Sequence, residues 1–227
     1  MAAAAVIVLG LALGIWRVFF YQSEVAKGMA ALAKAYRAER PVEARISGLN
    51  YAPLNNTRGA EQPKVDDLSL NRAELILLDE VTGHPNSAAA HHALGRFYLA
   101  ERKFDKAIAQ FDEALKSDPN NAQLHSDYGA ALLEMGKADE SEGRSAMSLE
   151  EFDKALDQLN RAIELDGSRL EPLFNVALCR QKMKLSQQAK EAWQRYLVKD
   201  ATSKWSDEAR QNINIIEEQR QRSSDPE

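Results

Sequence analysis

The chain of 227 residues carries 34 acidic and 29 basic side chains, a formal net charge of -5, and 44% of its residues are hydrophobic. These values are ordinary for a folded protein of one or two domains, and the acidic balance argues against a general nucleic-acid binder. A single cysteine excludes a disulfide framework and a structural zinc site built from several thiolates.

The first predicted element is a transmembrane helix within residues 1–22. No side chain from Ala2 to Trp16 is charged, and aromatic residues collect at the end of the apolar run. About twenty residues at a rise of 1.5 Å reach roughly 30 Å, the thickness of a bilayer's hydrocarbon core. A cleaved signal peptide is the alternative, but no basic region precedes the run and no small-residue cleavage site follows it.

Residues 2–21 therefore predict a single-pass membrane protein. Basic residues follow this segment and none precedes it. The positive-inside rule then places the rest of the chain in the cytoplasm, or in the periplasm if the N-terminus is incomplete.

Residues 23–67 are predicted to form a helix followed by an extended linker. Apolar residues recur at spacings of three and four from Ser23 to Arg40, and Pro41 ends the helical pattern. The stretch from Pro41 to Asp67 is rich in proline, glycine and asparagine, which favours an irregular conformation.

Residues 68–87 are predicted to form a half repeat. A helix would begin at Ser69, with that serine as its cap, and end before Pro85. Two sets of apolar residues recur in it at helical spacing: Leu75, Leu78 and Val81 on one face, and Ala73 and Leu77 in the positions of a helical repeat.

Residues 88–121 contain small and large residues in a pattern typical of two packed antiparallel helices. The pattern consists of Leu94, Gly95, Tyr98, Ala107, Phe111, Ala114 and Pro119. Their spacing within a 34-residue unit resembles the tetratricopeptide repeat (TPR). Gly95 and Ala107 would let the two helices approach closely, and Phe111 would fill the space between them.

The pattern recurs in residues 122–169 and 170–203, and residues 204–222 are predicted to form a capping helix with a polar outer face, followed by a tail at 223–227. The expected fold class is therefore all-α. The architecture is a TPR α-solenoid of about three helix-turn-helix repeats plus capping helices, behind an N-terminal transmembrane helix.

The second repeat carries an insertion. Its spacing from Gly129 to Ala155 is 26 residues, against 12 from Gly95 to Ala107, so 14 residues are added. The inserted residues, near 136–148, are charged and lack an apolar stripe. They are expected to extend the two helices of the repeat, with a contact loop beside the groove as the alternative.

Four stretches of the chain carry a wider resemblance: Ala38–Leu54, Thr57–Asp66, Leu173–Cys179 and Ala192–Arg210. They resemble the region before the protease domain of bacterial CHAT-domain proteins, in which a membrane span and TPR repeats precede a caspase-like domain with a His/Cys dyad. The resemblance implies a regulatory or sensor arm of such a protease, whose catalytic domain is not in this chain.

The residues themselves predict no enzyme, no cofactor and no metal site. A thiol nucleophile needs a base within about 3 Å, and the repeat that holds Cys179 has no histidine. Cys179 is therefore expected to be a small packed hydrophobe. His91 and His92 are neighbours on a helix and point about 100° apart, so they do not form a ready metal pair.

In TPR arrays one face of each first helix lines a concave groove, and this resemblance supplies the candidate binding site. The residues expected to bind a partner are His92, Arg96, Leu99, Ser126, Ala130, Leu133, Glu171, Phe174, Leu178 and Lys182. Their mixture of apolar and charged side chains suits an amphipathic helix or an extended peptide and disfavours a carboxylate clamp. The alternative is that the chain's own Pro41–Asp67 segment fills the groove.

Two functions stay open at this point. The first is a membrane-anchored, non-catalytic TPR scaffold that binds a partner protein or peptide in its concave groove, with Phe174 and Arg96 as the expected main anchors. The second is the regulatory arm of a CHAT-type protease.

Overall fold

The computed structural model describes residues 23–54 and 65–224. Within these ranges the chain forms nine α-helices and no β-strand. The helices are α1 (Glu24–Ala35), α2 (Asp67–Gly83), α3 (Ala88–Ala100), α4 (Phe104–Ser117), α5 (Ala122–Ser141), α6 (Ser145–Leu165), α7 (Leu170–Lys182), α8 (Ser186–Lys199) and α9 (Lys204–Ser224).

Eight of the helices form four pairs that stack in chain order: α1 with α2, α3 with α4, α5 with α6, and α7 with α8. The ninth helix, α9, packs on α8. This arrangement confirms the predicted all-helical solenoid. Three of the pairs are joined by connections of three residues, whereas 31 residues, 36–66, separate α1 from α2. That long connection is what gives the molecule its candidate site.

Glycines set the closeness of three pairs. A Cβ atom added to Gly95 would lie 2.4 Å from Cε1 of Phe111, and one added to Gly129 would lie 2.6 Å from Cγ of Leu159. Gly28 on α1 stands in the same relation to Leu77 on α2, at 2.6 Å from Cδ2. The first helix of each of these pairs therefore meets a large side chain of the second helix at a point where only glycine fits.

The first two helices differ from the sequence prediction at their ends. Helix α1 ends at Ala35 rather than Arg40. The hydroxyl of Tyr36, which follows it, lies 3.2 Å from the Ala100 carbonyl and 2.7 Å from the Glu101 carboxylate. Helix α2 begins two residues before Ser69, and its cap is Asp66, whose carboxylate accepts hydrogen bonds from the backbone and hydroxyl of Ser69.

The inward face of α2 also differs from one of the two apolar patterns. Ala73 and Leu77 are fully buried, as the repeat spacing predicts. Leu75 and Leu78 of the other pattern are 71% and 37% exposed, whereas its third member, Val81, packs against the core. The Ala73–Leu77 side of the helix is the buried one because α1 packs against it, with Gly28 of α1 against Leu77.

The insertion lengthens two helices. Helix α5 continues to Ser141 and α6 begins at Ser145, so the added residues extend both helices and leave a connection of three residues at the tip. The capping helix is present as predicted, with Trp205, Ala209 and Ile216 buried.

The predicted membrane localisation is corrected. Across residues 23–54 and 65–224, none of the helices combines the length and the apolar character needed to cross a bilayer, which contradicts a single-pass membrane protein. The prediction rested on residues 2–21, and these lie outside the described residues.

Candidate functional site

A stretch of the chain itself lies against the first helices of the repeats. We call residues 40–52 the groove segment; they belong to the connection between α1 and α2 and contain no helix. Val42, Ala44 and Ile46 are buried, whereas Glu43 and Arg45 between them are only partly buried. This alternation is the one expected of an extended chain with one face on a surface.

Helices α5 and α7 bind the middle of the groove segment through its backbone. The Ala44 N–H donates to Oε1 of Glu134 at 2.8 Å. The Arg45 N–H donates to Oδ1 of Asn175 at 2.8 Å, and Nδ2 of Asn175 donates to the Arg45 carbonyl at 2.9 Å. Glu134 and Asn175 are almost fully buried, so these bonds satisfy side chains that would be costly to leave unpaired.

A charged cluster on α3 and α5 binds the backbone of Ser47, two residues further along the segment. The Ser47 N–H donates to Oδ1 of Asp127 at 2.8 Å, and Nη1 of Arg96 donates to the Ser47 carbonyl at 3.1 Å. Nε2 of His92 lies 2.8 Å from Oδ2 of Asp127. Burial lowers the pKa of His92 and Arg96 lowers it further, although Asp127 acts in the opposite direction. Asp127 and Arg96 thus bind the N–H and the carbonyl of Ser47, and His92 contacts the same aspartate.

Arg45 projects into an aromatic cage formed by α7, α8 and α9. Its guanidinium carbon lies 4.7 Å from the ring centroid of Trp205 and within 6 Å of those of Phe174 and Tyr196. Its Nη1 donates to the Tyr196 hydroxyl at 2.7 Å. Tyr196 in turn donates to the carboxylate of Asp200. The cage therefore combines cation–π contacts with a hydrogen bond from Arg45 to the Tyr196 hydroxyl, and that hydroxyl is itself bonded to the Asp200 carboxylate.

The capping helix α9 binds the start of the groove segment. Nη2 of Arg40 lies 2.6 Å from Oε1 of Glu208, and the Arg40 guanidinium carbon lies 4.7 Å from the Trp205 ring centroid. The Tyr51 ring meets Trp205 edge-on at 5.0 Å. Trp205 thus contacts two arginines and a tyrosine of the groove segment, which gives the capping helix a role in the site.

Glu43 lies between two lysines from different repeats. Its Oε2 is 2.9 Å from Nζ of Lys137 and 2.9 Å from Nζ of Lys182. Burial alone would raise the pKa of Glu43, but the two lysines outweigh it and the pKa is lowered. The groove therefore offers two lysines to the acidic side chain at position 43 and an aromatic cage to the arginine side chain at position 45.

The ten side chains predicted to bind a partner occupy different environments. Five are buried in the hydrophobic core, at most 1% exposed: Leu99, Ala130, Leu133, Phe174 and Leu178. Arg96 and Lys182 make polar contacts with the groove segment, and His92 contacts Asp127 beside it. Ser126 is buried, and Glu171 is partly buried. Of the ten, five therefore lie in the core and two, Arg96 and Lys182, make direct polar contacts with the groove segment.

The ten predicted residues include Arg96 but lack three other residues that bind the segment's backbone. These are Asp127, Glu134 and Asn175. Asp127 and Asn175 stand at the same position, the sixth, in units that begin at 122 and 170. A polar side chain repeated there, on the inner face of a helix, was the available signal.

The cysteine and the two histidines that could have taken part in catalysis or metal binding are buried between helices. Cys179 is fully buried, as predicted, and burial raises the pKa of its thiol to about 12. His91 and His125 occupy equivalent sites: each lies 2.7 Å from a glutamine oxygen and about 3 Å from a proline carbonyl. Among the described residues, no group of three or more His, Cys, Asp or Glu could hold a metal ion.

Comparisons with known proteins agree with the repeat pattern. A model of the tetratricopeptide-repeat family matches residues 98–144. No curated protein matches the chain.

Solved structures share the fold at low sequence identity. PilF of Pseudomonas aeruginosa matches with a TM-score of 0.55 at 22% identity, over 69% of this chain and 64% of PilF. A TPR protein of Thermus thermophilus matches with a TM-score of 0.55 at 14% identity, over 65% of this chain and 73% of its own. A chain of the APC/C hetero-tetramer Cut9–Hcn1 matches with a TM-score of 0.51 at 17% identity, over 65% and 27%. The described part of the chain therefore has the fold of a TPR solenoid.

Proposed function

We propose that the protein is a non-catalytic TPR scaffold that binds an extended segment of a partner protein in the groove formed by α3, α5 and α7. One observation carries this proposal: Glu134, Asn175, Asp127 and Arg96 bind backbone N–H and carbonyl groups of a non-helical stretch. Backbone bonds of this kind do not depend on the side chains of the bound segment. A second polypeptide can therefore use the same contacts.

In this proposal the groove segment competes with the partner for the same groove. A tethered segment is present at a high effective concentration, on the order of millimolar for a short flexible linker. A partner must therefore bind the groove more tightly than the tethered segment does, or bind a chain whose groove segment has already been released. The scaffold would bind weakly while the segment is seated and more tightly once it is displaced.

The test compares the full chain with variants that differ only at the groove. Arg45→Glu should release the segment, because it puts a carboxylate into the cage beside Asp200. Quantitative pull-downs with this bait should recover more of a specific partner than the wild-type bait does. Adding Asn175→Ala should abolish the gain, and adding Lys154→Glu, on the exposed face of α6, should not. Equal recovery with all four baits would contradict groove binding.

The alternative function is a regulatory arm of a CHAT-type protease. One observation favours keeping it: three of the four stretches that resemble that family meet at this site. Ala38–Leu54 contains the groove segment, Leu173–Cys179 contains Asn175, and Ala192–Arg210 contains Tyr196 and Trp205. If a caspase-like protease is encoded next to this chain, co-purification of the two, lost on Asn175→Ala, would support the alternative.

A further inference from the structure

The groove segment presents three side chains to three different surfaces. Glu43 pairs with two lysines, Ala44 is enclosed with 2% of its surface exposed, and Arg45 enters the aromatic cage. The backbone contacts fix the register, because Ala44 and Arg45 each donate their N–H to a buried acceptor. The groove therefore has an acidic subsite, a small subsite and an arginine subsite in consecutive positions.

The chain's own segment fits this groove incompletely. Among the described residues, several buried side-chain polar atoms have no hydrogen-bond partner in the protein, and five of them belong to the segment or to the groove: Arg40 Nε, Arg40 Nη1, Ser47 Oγ, Arg96 Nε and Ser126 Oγ. A buried donor left unpaired costs free energy. Displacement returns the three segment atoms to water, where they can be hydrated. A different peptide that also pairs with Arg96 Nε or Ser126 Oγ in the groove has an advantage over the segment that now occupies the site.

From these two observations we propose that the groove's partner is an extended peptide with an acidic residue, a small residue and an arginine in sequence, which binds by displacing residues 40–52. The proposal rests on the proposed function and adds the chemistry of the partner. The lysines select the acidic residue by charge, and the enclosed site of Ala44 excludes large side chains. The cage selects arginine over lysine, because only a guanidinium combines stacking on aromatic rings with a directed bond to the Tyr196 hydroxyl.

The binding experiment uses the full chain and a labelled synthetic peptide with the sequence of residues 38–54. The host is the Arg45→Glu chain, and Ile46→Asp is a second host in case the first does not fold; circular dichroism and thermal melting check both. Fluorescence anisotropy should show the peptide binding at least about tenfold more tightly to a host than to the wild-type chain, since the host lacks a seated competitor.

Peptide variants then read out each subsite. Replacing arginine by alanine in the peptide should weaken binding about tenfold, and replacement by lysine should weaken it less. Peptide Glu43→Lys should bind weakly to the host, and binding should recover when the host also carries Lys182→Glu. That reciprocal charge exchange tests a direct contact, because Lys182 is partly exposed and its substitution does not alter the core.

The outcomes separate the two proposals. Equal binding of the wild-type, arginine-free and charge-reversed peptides would overturn the proposed motif while leaving a peptide-binding groove in place. No binding of any peptide to a folded host would contradict the groove function itself. If the wild-type chain forms a dimer in light scattering that is lost on Arg45→Glu, the occupant is a second copy of this chain, and the proposal of a separate partner fails.

Discussion

Asn175 binds one residue of the groove segment from both sides. Its Oδ1 accepts the Arg45 N–H at 2.8 Å, and its Nδ2 donates to the Arg45 carbonyl at 2.9 Å. Asn175 is fully buried. An amide is well suited to this arrangement, because it offers an acceptor and a donor side by side, as the backbone of a neighbouring strand would.

Removing that amide should loosen the segment. Asn175→Ala leaves two backbone groups of Arg45 without these partners, so we expect the free energy of unfolding to fall by about 2 kcal/mol. Hydrogen exchange at the Arg45 amide should become faster. Asn120→Ala is the control, since Asn120 is exposed and contacts the exposed side chain of Arg161. An unchanged exchange rate at Arg45 would show that other contacts hold this part of the chain.

Gly95 tests the closeness of α3 and α4. A side chain at this position meets the Phe111 ring, so Gly95→Leu should force the helices apart and destabilise the protein by about 1–3 kcal/mol. Stacked repeats transmit such losses to their neighbours. Thermal unfolding followed by circular dichroism measures the effect. Gly83→Ala is the matched control, because an added Cβ there meets nothing within 4 Å and Tm should not fall.

The repeat packing could be predicted from the sequence because its spacing is local. Gly95 and Phe111 are sixteen residues apart, and the small and large positions recur at fixed offsets within each unit. The exposed Leu75 shows the limit of that reasoning. Helical periodicity alone gives two apolar faces on α2, and only the contact with α1 decides which one is buried.

The site could be predicted only in part, because its contacts are distant along the chain. Ser47 and Asp127 are 80 residues apart, Arg45 and Asn175 are 130 apart, and the ion pair formed with Glu208 by the start of the segment spans 168. The composition of the segment is that of a loop, so nothing local indicates its partners. The inner faces of the helices could be predicted. Whether a partner or the chain's own Pro41–Asp67 segment occupies them could not.

Cys179 should react only when the repeat opens. Burial raises the pKa of its thiol to about 12, and its Sγ contacts the Phe152 carbonyl at 3.5 Å. The thiolate is the reactive form, so at a pH of about 8 the native protein should react with a disulfide reagent far more slowly than the protein in denaturant. Stopped-flow absorbance measures both rates. Rapid stoichiometric labelling of the native chain would contradict the buried assignment.

His92 should make stability depend on pH between about 7.5 and 5.5. Its pKa is lowered below 6.5, first by burial and then by Arg96 and Arg169, while Asp127 opposes the change. Below pH 6.5 the unfolded chain therefore binds a proton at this residue that the folded chain does not. Stability from His92 is fully present above pH 6.5 and is lost as the pH falls below it.

The size of that loss has an upper bound of about 1.4 kcal/mol at pH 5.5, one pH unit below the value for the unfolded chain. Urea unfolding at pH 7.5 and 5.5 measures it. His92→Gln keeps a donor for Asp127 but does not titrate, so the difference in the free energy of unfolding between the two pH values should shrink by this amount.

Glu43, whose pKa is lowered below 4.5, does not contribute in this window. His84→Gln, at a side chain that is 66% exposed, is the control and should leave the difference in place. If His92→Gln and the wild type lose the same free energy, then His92 takes up its proton in the folded state, and its contact with Asp127 outweighs its burial.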